Sequence, residues 1–505
     1  MANNTYGTKK YGTTKYGPSV LDAPLWGIRI DWEKTGVING VNYAGLATSL
    51  EVERGRRFQL NASGSGFEPM MEGRLYLELD NDDGRFDPYN TLSPLYPYIR
   101  PGVLIDVLIR LPGETVLRPI FTGIIENIIP VSSYPERVKI VAADGIKFLK
   151  DATARVVIAE NLDIDDAIQL VLNSAGWLWD QVLDESPDII RYFYVEDSIS
   201  AYTVIQKIIN SCMGMFFVKA DGTARYYEKN KVHYPVIVIN QEDLYKEILL
   251  KRPWEVIKNA VTVYGYPLVE QNTTTLWQLY DKPEIQPGET ISIGGQFTYN
   301  GETTPVLTTI APVAGTDYSF NSQADGQGTD MTADLSVTTS VFPTRVLFTI
   351  KNNAGSFGYL ILLKIRGNPL TSNQLSTSME DATSIGLYEK RELVIDNIYL
   401  QDTNRMREMA RLLLTRLKNP KGFPTMKMVK QPQKQYVIDI FDAITLNIPK
   451  LGIIGDHFLA YVKHTWLNPT GQEVETTMMF EPVETTSEDI WRFTTKIGMT
   501  SKFGF

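Results

Sequence analysis

Short apolar runs separated by turn residues dominate the first third of the chain. Runs of this length, rich in Val, Ile, Leu and Tyr and bounded by Gly, Pro or Asp, are typical of β-strands. They follow one another at 27–32, 46–53, 73–79, 104–110, 118–125 and 137–142. Because short strands must bury their apolar faces against one another, this pattern predicts an antiparallel barrel or sandwich.

Helical periodicity begins after these strands. Between 162 and 175 apolar residues recur three and four positions apart, Asp163 precedes most of them as the expected N-cap, and a glycine follows as the stop. A second helix is predicted over 198–214. An Asp221-Gly222 turn between two apolar runs then predicts a β-hairpin. Together these elements predict a small α/β module.

The second half of the chain begins and ends with strand-like patterns. A strand is predicted at 260–264, and between 273 and 375 the composition shifts to Thr, Ser, Gly and Asn with few charges, as in an inserted β-sandwich. A long helix fits 404–418 and ends before Pro420. A second β-rich unit is then predicted from apolar runs at 436–440, 443–446, 457–464 and 475–480.

These patterns predict a multi-domain α+β fold, since 505 residues exceed what one hydrophobic core usually serves. Two antiparallel β-barrel or β-sandwich domains are expected to flank the α/β module, with a β-sandwich inserted in the second. The predicted segments are an extended arm at 1–20, the first β-rich domain at 21–155, the α/β module at 156–235, the start of the second β-rich domain at 236–272, the insert at 273–380, the remainder of that domain with helix 404–418 at 381–485, and a C-terminal tail at 486–505.

The charge of the chain argues against stable binding to nucleic acid. The formal net charge is −10, whereas proteins that bind DNA neutralise its phosphates with clustered Lys and Arg. An acidic surface would instead let DNA slide past without sticking. The single cysteine, Cys212, excludes an intrachain disulfide, and we find neither a secretory signal pattern nor an apolar run of roughly 18 residues. Synthesis in a reducing cytoplasm is therefore expected.

No motif predicts an enzyme, a metal or a bound cofactor. The Asp-rich stretch 80–88 resembles a calcium loop, but counting back from Gly84 puts a leucine where the first ligand should be, so a solvated turn is expected. His457 and His464 are seven positions apart in a predicted strand, which places them on opposite faces and disfavours a shared metal. Cys212 falls on the apolar face of a helix and is interpreted as a buried structural thiol.

The N-terminal segment is a repeat that matches no regular structure. Tyr-Gly pairs at Tyr6, Tyr11 and Tyr16 recur every five residues, which is the period of neither a helix nor a strand. Tyrosine has little side-chain entropy to lose on binding, and glycine lets the backbone approach a neighbour closely. Three lysines make this arm basic in an acidic chain. We expect the three tyrosines to dock on an adjacent subunit or protein, the alternative being a solvated tail.

Several motifs follow one another in a recognisable order. They are LDNDDGRFDPYNTLSPLYPYIRPG at 79–102, FTGII at 121–125, an Ala-Asp-Gly turn at 143–145, the hairpin at 217–225, IRGNPL at 365–370 and YEKRELVID at 388–396. This order resembles that of tail hub proteins, or minor tail proteins, of long-tailed, siphovirus-like bacteriophages, in the baseplate-hub family. The resemblance is weaker at Tyr388-Glu389, where that family often has Tyr-Gly.

This resemblance implies a structural role in the virion. A hub of this family is expected to lie at the tail tip or baseplate, below the distal tail ring, and to close the tail tube as a homotrimer through which DNA passes without specific binding. The implied partners are the distal tail protein, the tape measure protein and tail-tip or fibre proteins. Prolines fix the backbone of the 93–102 segment, which is expected to supply the interface residues Tyr96, Arg100 and Pro101.

Two other functions are left open by the sequence. A distal tail ring protein would be a hexamer rather than a trimer. A tail-tip receptor, sugar-binding or cell-wall-degrading component would use the insert at 273–380, because exposed β-sandwich insertions often bind a ligand. In that case the insert would bind a glycan on the host surface.

Overall fold

The computed structural model describes residues 25–38, 41–56, 70–131, 135–245 and 248–483. The predicted arm with Tyr6, Tyr11 and Tyr16 and the predicted C-terminal tail lie outside the described residues. Across the described ranges, antiparallel strands predominate and a few helices pack against them, so the predicted α+β class is confirmed. None of the helices in these ranges is both long and apolar enough to cross a membrane.

All six runs predicted in the first third of the sequence form strands. They are β1 (Leu25–Ile30), β2 (Ala47–Gly55), β3 (Arg74–Asp80), β4 (Leu104–Arg110), β5 (Arg118–Val131) and β6 (Arg137–Ala143). Burial alternates along β2, β3 and β6, so each of these strands turns one face to the core. The pairings among these six strands are antiparallel.

The predicted helices and hairpin of the α/β module are also present. The elements are α1 (Gly145–Asp151), β7 (Thr153–Asp163), α2 (Ile164–Ala175), β8 (Gln181–Leu183), β9 (Ile189–Ser200), α3 (Ala201–Cys212), β10 (Met215–Val218) and β11 (Ala224–Tyr227). Asp163 occupies the N-cap position of α2, but its side chain makes no capping hydrogen bond. The acidic pair Asp165 and Asp166 in the first turn favours this end of the helix instead.

The rest of the chain adds many short strands. In order they are β12 (Val238–Asn240), β13 (Leu249–Lys251), β14 (Ala260–Gly265), β15 (Leu268–Glu270), β16 (Thr274–Gln278), β17 (Glu284–Ile285), β18 (Thr290–Gln296), β19 (Thr298–Tyr299), β20 (Glu302–Thr303), β21 (Val306–Ile310), β22 (Tyr318–Asn321), β23 (Leu335–Val341), β24 (Arg345–Asn352), β25 (Gly358–Ser372) and β26 (Leu375–Glu380). After them come α4 (Ala382–Tyr388), β27 (Glu392–Asp396), α5 (Thr403–Leu417), β28 (Phe423–Val429), α6 (Pro432–Gln435), β29 (Ala443–Ile448), β30 (Ile453–Trp466) and β31 (Val474–Pro482).

The two β-rich parts of the chain share one 12-stranded sheet, in the order β1-β4-β5-β6-β3-β2-β30-β31-β28-β13, with β29 beside β30 and β12 beside β29. They join where β2 pairs with β30, from Glu51 opposite Thr465 to Gly55 opposite Tyr461. Gly55 has φ +105, and a Cβ there would lie 2.2 Å from the carbonyl oxygen of Ala460. This junction therefore depends on a glycine that lets the two backbones approach closely.

A second contact holds β1 against the far part of the sheet. Trp26 Nε1 donates a hydrogen bond to the carbonyl oxygen of Gly471, at 3.0 Å, in the turn between β30 and β31. The Trp26 ring also meets Trp466 edge to face, with ring centroids 5.3 Å apart. Gly471 has φ +63, and a Cβ on it would come within 2.6 Å of the Trp466 ring. The turn thus needs glycine for both its backbone conformation and its packing.

The insert is built around one core from a six-stranded sheet and a three-stranded sheet, with β19 and β20 forming a separate two-stranded sheet. Strand β25 is hydrogen-bonded along its length to β15, β16, β17, β21 and β22, while β24 lies between β18 and β23 in the other sheet. The insert contacts the two-stranded ribbon of β7 and β9. The Arg155 guanidinium lies 3.8 Å from the centre of the Phe342 ring, and Tyr192 packs in a small buried cluster with Leu268 and Leu370.

One predicted strand is wrong. Residues 436–440 form no strand, because α6 begins at Pro432 and the chain then turns until β29. Tyr436 and Ile438 are nevertheless buried, so the apolar run that suggested a strand is an irregular segment packed into the core. Gln435 fixes the start of this segment by donating from Nε2 to the carbonyl oxygen of Val474 at 3.0 Å.

Candidate interaction surfaces

The motif-bearing segment between β3 and β4 folds as a compact loop, named here the signature loop (residues 81–103). The side-chain oxygen of Asn81 accepts from the backbone N–H of Phe86 at 2.9 Å. Asn90 Nδ2 donates to the carbonyl oxygen of Gly84 at 2.9 Å, and Ser93 Oγ donates to that of Arg85. These polar side chains replace the backbone pairing that a strand would supply, so the loop has a defined shape.

The aspartates at the start of the loop shape the backbone. Asp80, Asp83 and Asp87 each accept a hydrogen bond from the backbone N–H two residues ahead, at 2.9 to 3.1 Å. The Arg85 guanidinium, which is hydrogen-bonded to Asp83, holds the pKa of that carboxyl below its usual value. No group of three or more metal-ligating side chains occurs among the residues described. The geometry is that of an Asp-rich turn of the kind expected from the sequence.

Buried residues anchor the signature loop to the core. Phe86 is fully buried, and its ring lies 5.5 Å from that of Tyr43 and 6.2 Å from that of Trp32. Ile99 and Val103 are buried at the far end of the loop. The loop is thus attached at both ends, and its middle faces outward.

The outward side of the loop carries large apolar side chains. Tyr89 is 89% exposed and Leu92 is 91% exposed. Tyr96, Arg100 and Pro101, which the sequence suggested as interface residues, are also exposed. Sequence reasoning missed Tyr89 and Leu92. Leu92 could have been identified, because an apolar residue between two turn residues belongs to no strand that would bury it. Exposed apolar side chains on an anchored loop make this loop a candidate surface for contact with another protein.

Buried charges join three parts of the chain. Arg54 of β2 pairs with Asp439 at 2.6 Å, and Asp439 also accepts from the backbone N–H of Ala220 at 2.9 Å. Nearby, burial raises the pKa of Asp144 to about 6 even though the carboxyl caps α1 by accepting from Ile146. A buried pair of this kind fixes relative positions, since separating it would leave an unpaired charge inside the protein.

The histidines and the cysteine are packing residues. Burial lowers the pKa of His464 to about 3, and its Nδ1 lies 2.9 Å from Thr476 Oγ1. A β-bulge between Leu459 and Tyr461 shifts the alternation in β30, so the prediction that His457 and His464 lie on opposite faces is wrong.

Cys212 lies at the C-terminal end of α3. Burial raises the pKa of its thiol, and Sγ lies 3.5 Å from the Tyr226 hydroxyl. His233, the nearest histidine in sequence, packs between the rings of Tyr227 and Phe458, and burial lowers its pKa to about 4. A thiol with a raised pKa is a poor nucleophile, so this arrangement fits a structural cysteine.

The fold of this chain is similar to those of several solved structures. No protein-family model and no curated protein matches the chain. The fold is similar to the 43 kDa tail protein of prophage MuSo2 from Shewanella oneidensis, with 11% identity, 90% of this chain and 98% of that chain covered, and a TM-score of 0.47. It is similar to a tail protein from Neisseria meningitidis MC58, with 10% identity, 91% and 97% covered, and a TM-score of 0.49.

Proposed function

We propose that the chain is a structural tail hub protein of a long-tailed bacteriophage. In this role it closes the tail tube as a homotrimer below the distal tail ring and connects the tube to the tape measure protein and the tail-tip or fibre proteins. DNA crosses its lumen without specific binding. The protein acts in the virion, after synthesis in the host cytoplasm, and performs no catalysis.

The observation that carries this proposal is the sheet shared by the two β-rich parts. If each chain supplies two tube-forming units, those units must keep a fixed relation, because a ring closes only when every interface repeats the same geometry. The β2–β30 pairing and the Trp26–Gly471 hydrogen bond provide such a connection between parts that are far apart in sequence. The order of motifs supports the same role, and its first and longest motif forms the signature loop.

The signature loop is the assembly surface in this proposal. Its apolar side chains lie on a loop anchored by Phe86, so they can be covered by a partner without a costly ordering step. The partner is a second copy of the chain or the distal tail protein. A charged side chain at Tyr89 or Leu92 would be trapped in that interface and would oppose it.

Paired aspartates at these positions test the surface. The variant Tyr89→Asp with Leu92→Asp should remain folded, because both side chains are almost fully exposed, yet should fail to enter purified tails. The matched control is Tyr280→Asp, since Tyr280 is 88% exposed but lies in the insert. Tail yield and the content of this chain in tails are measured for both. Normal incorporation of the loop variant would contradict the proposed interface.

Sugar binding by the insert is the second candidate. Tyr280 and Phe357 are large aromatic residues exposed on the insert, and exposed aromatic rings often mark a binding surface. A glycan array with the full chain and with Tyr280→Ala tests this function. Binding that is lost in the variant would add receptor recognition to the structural role, and no binding by either protein would leave the structural role alone.

A further inference from the structure

We propose that the open edge of strand β8 receives residues 10–15 of the N-terminal arm as an added β-strand. One side of β8 pairs in parallel with β11, and no other strand in the described part of the chain pairs with it. The carbonyl oxygen of Asp180 and the N–H of Asp184 bond to β11 residues. Because peptide groups alternate in direction along a strand, those of Gln181 and Leu183 point to the open edge.

Two exposed apolar side chains lie in β8 or just before it. Val182 in the middle of β8 is 44% exposed, and Leu178 just before it is 59% exposed. The partly buried rings of Trp177 and Trp179 lie next to each other, with centroids 5.0 Å apart, and pack against Gly145 of α1 and Gly222 of the β10–β11 turn. An added strand would satisfy the open peptide groups of β8 and cover Val182, which is how extended peptides bind at sheet edges.

The acidic residues on either side of β8 favour a basic strand at its open edge. Between Glu160 and Asp197 the sequence has ten acidic residues and one basic residue. Two of these acidic residues, Asp184 and Asp188, are paired with Lys231 and Lys229, which follow β11. Asp180 and Glu185, at the two ends of β8, are exposed, and neither has an ion-pair partner among the residues described. The arm, by contrast, carries lysines in a segment without an apolar face to bury. Opposite charges favour this pairing.

The spacing of charges also matches. Lys10 and Lys15 are five positions apart, as are Asp180 and Glu185, and five residues of strand span about 17 Å. An antiparallel strand places Lys10 opposite Glu185, Lys15 opposite Asp180 and Thr13 opposite Val182. Cross-strand pairs of opposite charge stabilise such a register.

Another strand edge is less suitable for this arm. The extended segment 232–240 leads into β12 and exposes Tyr234 and Val238. It has no acidic residue between Lys229 and Asn240, so it offers no carboxylate to pair with a basic strand. The basic arm is therefore expected at β8, and β12 provides a control surface.

Disulfide cross-linking in the full chain tests the docking. With Cys212→Ser as background, the pair Thr13→Cys and Val182→Cys should form a cross-link readily on mild oxidation. The pair Thr13→Cys and Val238→Cys is the matched control, because Val238 is 49% exposed on β12. The mass of the product shows whether the arm comes from the same chain or from another copy, and either product supports the docking. Equal yields in the two pairs would overturn it.

Charge reversal tests the register independently. Lys10→Glu with Lys15→Glu should lower the yield at Val182 several-fold, and adding Asp180→Lys with Glu185→Lys should restore it. All four side chains lie outside the core or in the arm, and circular dichroism checks that the variants stay folded. If neither charge reversal changes the cross-linking yield, the proposed pairing is overturned, whatever the oligomeric state of the protein.

Discussion

Replacing Gly471 with alanine tests whether Trp26 holds the two β-rich parts together. At φ +63 a non-glycine residue costs about 1–2 kcal/mol. In addition, the new Cβ would lie 2.6 Å from the Trp466 ring and 3.0 Å from Trp26 Nε1, so the indole rings must move. Overpacking of this kind costs about 1–3 kcal/mol. The expected loss of local stability is therefore about 2–5 kcal/mol, the sum of the two effects.

Native-state hydrogen exchange at the amides of β1 measures this loss, because the Trp26–Gly471 bond holds β1 against the rest of the sheet. Gly452→Ala is the matched control. Gly452 has φ +66, but nothing lies within 4 Å of its added Cβ, so only the backbone cost of about 1–2 kcal/mol is expected, and at the β29–β30 turn rather than at β1. Equal loss of β1 protection in the two variants would refute the reasoning.

Three further predictions concern the core. Phe86→Ala should cost about 3–5 kcal/mol of signature-loop stability, measured by hydrogen exchange, whereas the half-exposed Phe357→Ala should cost much less. Arg54→Met should lower the free energy of unfolding by up to about 3–5 kcal/mol in urea titrations, because the Asp439 carboxylate, whose side chain is only 17% exposed, loses its ion-pair partner; an unchanged midpoint would contradict this. The folded-state pKa of His464 lies near 3, below its unfolded value of 6.5, so its contribution to stability is present above pH 6.5 and is lost as the pH falls toward 3. His464→Gln should flatten that decline, and an unaltered pH profile would show that another group causes it.

The strands of the first β-rich part could be predicted because apolar and polar residues alternate there in step with burial. In β2, Leu50 and Val52 are buried, while Ser49 and Glu51, which precede each of them, are more exposed. The helices α2 and α3 were equally predictable, since their apolar residues repeat at helical spacing and each ends at a residue with positive φ. Local pattern was sufficient wherever neighbouring residues determined the structure.

Features set by distant partners could not be predicted. The pairing of Glu51 with Thr465 joins residues more than 400 positions apart, and no local pattern encodes it. The segment at 436–440 has the apolar composition of a strand. It is nevertheless irregular, and its side chains Tyr436 and Ile438 are buried in the core. The bulge near Ala460, which places His464 on the same face of β30 as His457, lies where that backbone comes close to Gly55 of β2.

The candidate surface was partly predictable. Tyr96, Arg100 and Pro101 were suggested by a resemblance that covers the signature loop, and they are exposed. Their role in an interface stays a prediction. Tyr89 could be recognised only from the structure, because exposure within a loop depends on which residues anchor it.

The number of copies in a native tail tests the central claim most directly. Cryo-electron microscopy of intact tails, with this chain traced in the density, gives its position and its copy number together. The account predicts three copies at the end of the tail tube, about 171 kDa from a 57.0 kDa chain, each placing both β-rich parts around one lumen. Six copies in a ring would identify a distal tail ring protein instead, and absence of the chain from the tail would contradict the account as a whole.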